Sequence, residues 1–175
     1  MKRHPLPLIV VHWLMAGLIL WMLWLGWSMQ DLPKGPERSA AYNLHKSVGL
    51  LLLGLLVLRL AVRLRWPALP TLGGGWQERL ARAVHVLLYA FMALAPLAGY
   101  FASSFTPYAV KFFGIEIPKA GWPDEGLNGL FKGFHVALVW GGAGLIALHV
   151  AGGLKHALLR DGTLSRMLPG RLFRD

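Results

Sequence analysis

Four long apolar stretches alternate with short polar segments along the chain. They cover residues 8–29, 43–64, 80–103 and about 129–155. Each has about the twenty residues that a helix needs to cross the hydrocarbon core of a bilayer. The pattern predicts an all-α integral membrane protein, a four-helix transmembrane bundle formed by residues 1–175 as a single domain.

The segments between these stretches contain residues that end helices. Residues 31–39 contain Pro33 and Pro36, and residues 66–75 contain two prolines and three successive glycines. The longest connection, 105–128, has three prolines and several aromatic side chains, so we expect it to lie at the membrane interface. Pro96 falls inside the third stretch and is expected to kink that helix.

The composition limits the kinds of metal site and cofactor attachment that the chain can form. The chain is 55% hydrophobic and has no cysteine, which excludes disulfides, thiolate metal sites and the thioether attachment of c-type haem.

The first apolar stretch follows a basic N-terminus, as in a signal peptide. It is longer than the apolar core of a signal peptide, however, and no small-residue cleavage site follows it. We therefore expect a retained membrane span.

The formal net charge of +10 reflects topology rather than nucleic-acid binding. Lys and Arg cluster in the segments that flank the spans, and no nucleic-acid-binding motif is present. Of the 18 Lys and Arg residues, twelve lie on the side that would hold both termini and six on the other. The positive-inside rule therefore places both termini in the cytoplasm.

Five of the seven histidines lie within the predicted spans. They are His12, His45, His85, His135 and His149. Ionisable side chains inside a bilayer are costly, so each suggests a function by default. The alternative for any one of them is a simple hydrogen bond to a neighbouring helix.

Depth limits which of these histidines can meet. His45 and His135 are both expected near the outer face. His149 follows His135 by fourteen residues, roughly 21 Å along the helix and almost four whole turns, so both point the same way. At the inner level His149 could meet His12 or His85. Two haems stacked across the membrane satisfy this arrangement.

Haem suits these residues better than zinc. Zinc usually takes three or four close ligands, often carboxylate or thiolate, whereas the predicted spans contain no Asp or Glu. Two separated imidazole pairs fit six-coordinate iron. Lys46, Lys132 and Arg59 are placed near the faces to pair with haem propionates. The alternative for these three is that they extend toward the lipid headgroups.

Several motifs in order along the chain resemble those of a known family. They are V-H-W at 11–13, L-H-K-S-V-G at 44–49, V-L-R-L-A-V-R-L-R-W-P at 57–67, H-V-L-L-Y-A-F-M-A-L-A-P-L-A-G at 85–99, F-H at 134–135, L-H at 148–149 and D-G-T-L-S-R-M-L-P at 161–169. The chain thus resembles the bacterial cytochrome b561 family. That family is related to the membrane cytochrome subunits of nickel-iron hydrogenases and formate dehydrogenases.

The resemblance implies two b haems in a multi-pass protein of the bacterial inner membrane. Carried onto matching positions, it implies His12 with His149 for the cytoplasmic haem and His45 with His135 for the periplasmic one. His4 lies outside the pattern, and we assign it no role.

The resemblance also implies that the protein oxidises superoxide at the periplasmic face and reduces ubiquinone. Lys46 and Lys132 flank the outer ligands and could guide an anion there, although acidic residues leave that face with a formal charge of only +1. His85 and His156 lie near the inner haem and are candidates for a quinone or proton site. The alternatives are packing of His85 against haem and solvation of His156.

Two other functions compete with this one. The first is a membrane cytochrome subunit that passes electrons between a hydrogenase or dehydrogenase partner and the quinone pool. Both electron-transfer hypotheses, the superoxide-oxidising protein and the cytochrome subunit, require the haems and membrane lipid. Their partner is either superoxide or a redox protein. The second is a haem-free transporter, which a b-type absorbance spectrum would exclude.

Overall fold

The computed structural model describes residues 3–66 and 75–168. Four helices dominate these residues: α1 Leu6–Ser28, α2 Pro36–Arg65, α3 Trp76–Ser104 and α4 Glu125–Leu158. All four are long and apolar enough to cross a membrane. The predicted all-helical membrane bundle is confirmed. Most of the predicted 66–75 connection, and Pro169 of the last motif, lie outside the described residues.

The helices extend beyond the apolar stretches that predict them. Helix α2 begins at Pro36, and proline is well suited to the first helical position because its missing N–H would have no partner there. Helix α4 begins after Asp124, whose Oδ1 accepts a hydrogen bond from Leu127 N at 2.9 Å. Hydropathy marks only the part of a helix that lies in hydrocarbon. The added turns therefore belong to the polar layers.

Packing joins the helices in sequence, α1 with α2, α2 with α3 and α3 with α4. A buried cluster of Val11, Met15, Val48, Leu52 and Leu56 holds α1 against α2. Helix α4 packs chiefly on α3, and Gly142 is its one buried residue. As a result, α4 stands apart from α1 and α2 over most of its length.

A β-hairpin covers one end of the bundle, called the hairpin end below. Its strands are β1 Val110–Phe112 and β2 Ile115–Ile117. Phe113 and Gly114 both have positive φ, as a two-residue hairpin turn requires. The Ser47 hydroxyl accepts from Phe113 N at 2.9 Å and contacts Lys111 O at 3.3 Å. These bonds attach the hairpin to α2, within a segment predicted only to be interfacial.

The opposite end, called the terminus end, is covered by the C-terminal segment. Its short 3-10 helix, η1 Leu164–Met167, follows α4. His4 N donates to Arg166 O at 3.1 Å, and Trp13 Nε1 donates to Met167 O at 2.8 Å. The segment after α4 thus returns to the start of α1.

An imidazole–carboxylate contact holds the start of this segment. His156 Nδ1 lies 2.5 Å from Asp161 Oδ2, and Asp161 Oδ1 accepts from Thr163 N at 2.9 Å. The hydrogen bond from His156, followed by those from Thr163, lowers the pKa of Asp161 to about 2. Asp161 is therefore a carboxylate at neutral pH.

Candidate functional site

Positions spaced by seven residues form one face on each helix. Seven residues are nearly two helical turns, so such positions share a face at depths about 10.5 Å apart. They are His12, Ile19 and Gly26 in α1, His45, Leu52 and Arg59 in α2, His85, Met92 and Gly99 in α3, and His135, Gly142 and His149 in α4. Because neighbouring helices run in opposite directions, the outer members form two levels.

Each level contains a histidine from α4 and three partners. The hairpin-end level, called the hairpin level, contains His135 with Gly26, His45 and Gly99. The terminus-end level, called the terminus level, contains His149 with His12, Arg59 and His85. Ring contacts and hydrogen bonds connect members within each level. The two levels therefore bring together all five histidines of the predicted spans.

At the hairpin level, the ring of His45 in α2 lies opposite the ring of His135 in α4. Their centroids are 6.1 Å apart and their planes are 85° apart. Two imidazoles on opposite sides of one metal have centroids about 6 Å apart, because each metal–nitrogen bond is about 2 Å and each nitrogen lies about 1 Å from its centroid. The spacing fits a metal between them.

The hydrogen bonding of His135 favours ligation through Nε2. Its Nδ1 lies 2.8 Å from Ala95 O. A carbonyl oxygen can only accept, so Nδ1 carries the proton and the Nε2 lone pair is free. A ligating histidine typically donates its other ring N–H in this way. Ala95 directly precedes Pro96, and α3 continues through this proline.

Two glycines make room for these rings. A Cβ at Gly26 would lie 3.1 Å from His45 Cε1, and one at Gly99 would lie 3.2 Å from His135 Nδ1. His45 Nδ1 is buried and has no hydrogen-bond partner among the described residues. His45 therefore lacks the hydrogen bond at Nδ1 that His135 makes to Ala95 O, and a ligating histidine usually has such a bond.

At the terminus level, His149 has two histidine neighbours. The centroids of His12 and His149 are 6.2 Å apart with planes at 78°, again close to the separation for ligands of one metal. The centroids of His85 and His149 are 5.3 Å apart, which is shorter than that separation. The spacing therefore favours His12 as the partner of His149, a choice that depth alone leaves open.

Arg59 brings a positive charge to the terminus level. Its Nη1 donates to His12 Nδ1 at 3.0 Å, and its Nε donates to Tyr89 OH at 3.1 Å. Arg63 also lies over the Tyr89 ring, 5.7 Å from its centroid. No acidic side chain in residues 3–66 or 75–168 forms an ion pair with Arg59. A half-buried guanidinium without an ion pair is placed to bind an anion, and a haem propionate would supply one.

His4, just before α1, lies near Arg59 and other arginine side chains. Burial lowers the pKa of His4, and the charges of Arg166, Arg63 and Arg59 lower it further. His4, to which the sequence assigned no role, is therefore a neutral side chain beside the terminus level at neutral pH.

The remaining predicted residues are more dispersed. Lys46 is half-buried beside His45, and Lys132 is exposed one turn before His135. His85 is exposed and contacts His149, whereas His156 is engaged by Asp161. Among the described residues no cluster of three or more histidine or acidic side chains could hold a metal ion. Two separate imidazole pairs fit haem better than a site with three or four protein ligands.

Sequence reasoning missed the residues that position the histidine rings and Arg59. Gly26, Gly99 and the Ala95 carbonyl contact the histidine rings, and Tyr89 holds Arg59. The seven-residue spacing from each histidine is the signal that would have found the glycines. No signal in the sequence points to the carbonyl or to Tyr89.

A four-helix membrane bundle with facing imidazoles at two depths defines the class of membrane cytochromes. Comparison with known proteins agrees: the family model for prokaryotic cytochrome b561 matches residues 3–170. The chain belongs to the prokaryotic cytochrome b561 family. It is therefore a multi-pass membrane protein of electron transfer, and the family implies haem b as its cofactor. The sequence-based recognition of the family is confirmed.

Three relatives match over almost their whole length. Cytochrome b561 homolog 2 of Escherichia coli K12 is 35% identical over 95% of this chain and 92% of its own. Cytochrome b561 homolog 1 of the same organism is 28% identical over 98% and 99%. The probable superoxide oxidase CybB of Yersinia pestis is 28% identical over 96% and 97%.

Proposed function

We propose that the chain binds two b haems and carries electrons from superoxide at the hairpin end to ubiquinone at the terminus end. His45 and His135 hold the haem of the hairpin level, and His12 and His149 hold that of the terminus level. The observation that carries this proposal is the presence of two imidazole pairs, at two depths, each with the separation expected for ligands of one metal.

In the proposed orientation, the hairpin end lies in the periplasm and both termini lie in the cytoplasm. The excess of Lys and Arg at the terminus end supports it. The name of the Yersinia relative, a probable superoxide oxidase, supports superoxide as the electron donor. Haem supplies one-electron transfer when bound, and the chain supplies the ligands, the apolar surroundings and the cations.

The proposed reaction balances over two turnovers of the donor. Two superoxide anions each lose one electron and leave as dioxygen. Ubiquinone gains both electrons and takes two protons to become ubiquinol. Because the quinone site is proposed at the terminus end, those protons are drawn from the cytoplasmic side.

Lys46 and Lys132 are proposed to guide superoxide to the hairpin level. Charge reversal of either (K46E or K132E) should lower the second-order rate constant for haem reduction by superoxide roughly tenfold at low salt, since steering fields change such rates by about 10 to 1,000-fold. Stopped-flow mixing with superoxide measures this constant. The difference should shrink as salt screens the charges.

Lys34 provides the matched control, because it is an exposed cation at the same end, in the α1–α2 connection. K34E makes the same change in net charge away from the histidine pair. Equal rate constants for all three variants would reject guidance by Lys46 and Lys132. If superoxide failed to reduce the haems of the wild-type protein, the proposed donor itself would be wrong.

His85 is proposed to bind the quinone head group or to relay its protons. Proton transfer by a positioned side chain contributes typically 10²–10⁴-fold to a rate, so H85Q should lower quinone-linked turnover by at least roughly tenfold. Reduction of the haems by superoxide should stay at the wild-type rate. Turnover measured with a soluble ubiquinone analogue checks the first expectation, and stopped-flow spectra check the second.

His156 is the second candidate for the same role and the natural comparison. Its hydrogen bond to Asp161 can orient a proton relay or simply hold the C-terminal segment, and H156Q separates these roles. Unchanged quinone turnover in both H85Q and H156Q would reject a histidine-based quinone site. Co-purification of a hydrogenase or dehydrogenase would favour the membrane-subunit function instead.

A further inference from the structure

Phe91 of α3 packs directly on Gly142 of α4. The Phe91 side chain is 8% exposed. A Cβ added at Gly142 would overlap Cδ2, Cε2 and Cζ of its ring. The absence of a side chain at residue 142 is therefore a condition for the position of this ring.

The contact lies midway between the two levels. Gly142 is seven residues from His135 and seven from His149, about 10.5 Å from each along α4. On α3, Phe91 lies between His85, which contacts His149, and Ala95, whose carbonyl binds His135. Both helices thus place the ring at mid-depth, between the proposed haem sites.

The other residues at this depth are apolar. The midpoints of the seven-residue series are Ile19 in α1, Leu52 in α2 and Met92 in α3, and all three belong to or pack against the buried cluster. The midpoint of the series in α4 is Gly142, which has no side chain and is the buried residue of this helix. The Phe91 ring occupies the place that an α4 side chain would otherwise fill.

We propose that Phe91, seated on Gly142, is the spacer between the two haems, which sets their separation and keeps water from the space between them. This inference rests on the proposed binding of two haems. It does not depend on superoxide or ubiquinone as substrates. Phe91 acts as a positioning residue, because its large apolar side chain fills the mid-depth layer on the α4 side.

The test compares G142A with two neighbouring glycine variants. Among the described residues, a Cβ at Gly141 or Gly144 would meet no atom of another helix within 4 Å, so G141A and G144A add a methyl group to the same helix without displacing Phe91. The double variant F91L/G142A relieves the overlap, so it should lose the effect of the added methyl group and keep that of F91L. F91L alone tests the ring in case G142A does not fold.

Two readouts report the relation between the haems rather than activity. One is the exciton couplet in the Soret circular dichroism spectrum, which depends on haem separation and orientation. The other is the difference between the two midpoint potentials in a redox titration. G142A and F91L should each change the exciton couplet and the difference between the midpoint potentials. F91L/G142A should give values close to those of F91L, and G141A and G144A should give wild-type values.

A purely structural contact gives a different result. If G142A lowers the thermal unfolding temperature while the couplet and the potential difference stay at wild-type values, Phe91 only packs α3 against α4 and the inference is overturned. The haem-to-protein ratio of the wild type separately tests the two-haem proposal. If the protein binds two haems but superoxide does not reduce them, the proposed electron donor is wrong and the proposal for Phe91 is unaffected.

Discussion

His135→Ala should reduce the haem content of the purified protein by half. The substitution removes the ring that faces His45 and the Nδ1–H that binds the Ala95 carbonyl. A haem with one axial ligand in a site shaped for two should dissociate during purification. The remaining haem should keep its low-spin spectrum, because His149 lies roughly 21 Å further along α4.

The matched control is V136A, at the next position of the same helix, where the side chain is 46% exposed. It should retain full haem content. Pyridine haemochrome absorbance together with quantitative amino-acid analysis measures the ratio. Full haem content in H135A would show that His135 is not a ligand, and loss of both haems from a folded chain would show that the two levels are not independent.

Arg59→Met should lower the midpoint potential of the terminus-level haem. The Arg59 guanidinium lies 3.0 Å from His12 Nδ1. A positive charge near haem favours the reduced form, which has one positive charge less than the oxidised form, and the interaction is strong in a medium of low dielectric constant. Removing the cation therefore shifts the potential in the negative direction. Redox titration in the H135A background assigns the shift to this haem.

Arg59 also limits how His12 can ligate iron. A guanidinium can only donate, so His12 Nδ1 accepts in this arrangement and the proton of the neutral ring lies on Nε2. Ligation through Nε2 requires the opposite tautomer. We expect Arg59 to leave Nδ1 and pair with a propionate when haem binds, so R59M should also bind haem less tightly.

Arg63 provides the control for this prediction. It lies over the same Tyr89 ring at a similar distance, 5.7 Å against 5.8 Å for Arg59, but donates no hydrogen bond to His12 in the described structure. R63M removes the same charge and should shift the potential less. Equal shifts of the potential in R63M and R59M would show that the net charge at this end sets the potential and that Arg59 has no specific role.

The sequence predicts the helices and the two histidine levels because both depend on simple periodicities. Hydropathy locates the four spans, and the spacing of His135 and His149 places them on one face of α4. The helix ends were less well predicted, since Pro36 and Asp124 extend α2 and α4 into the polar layers. Hydropathy carries no information about those turns.

Features that depend on helix rotation or on long-range pairing were not predicted by the residue pattern alone. Depth places His12 and His85 equally near His149. The family resemblance chooses His12, and the ring separations of 6.2 Å and 5.3 Å favour the same pair. The β-hairpin has a single turn residue of the usual kind, Gly114, and its attachment depends on Ser47 in a distant helix. Single-sequence patterns do not report such contacts.

The most direct test of two bis-histidine haems is low-temperature electron paramagnetic resonance of the oxidised wild-type protein, with its haem content determined on the same sample. We predict two haem b per chain and two low-spin ferric signals of high anisotropy, because the imidazole planes of both pairs are close to perpendicular, at 78° and 85°. A single haem per chain, or high-spin signals from a fully loaded protein, would contradict the proposed ligand pairs.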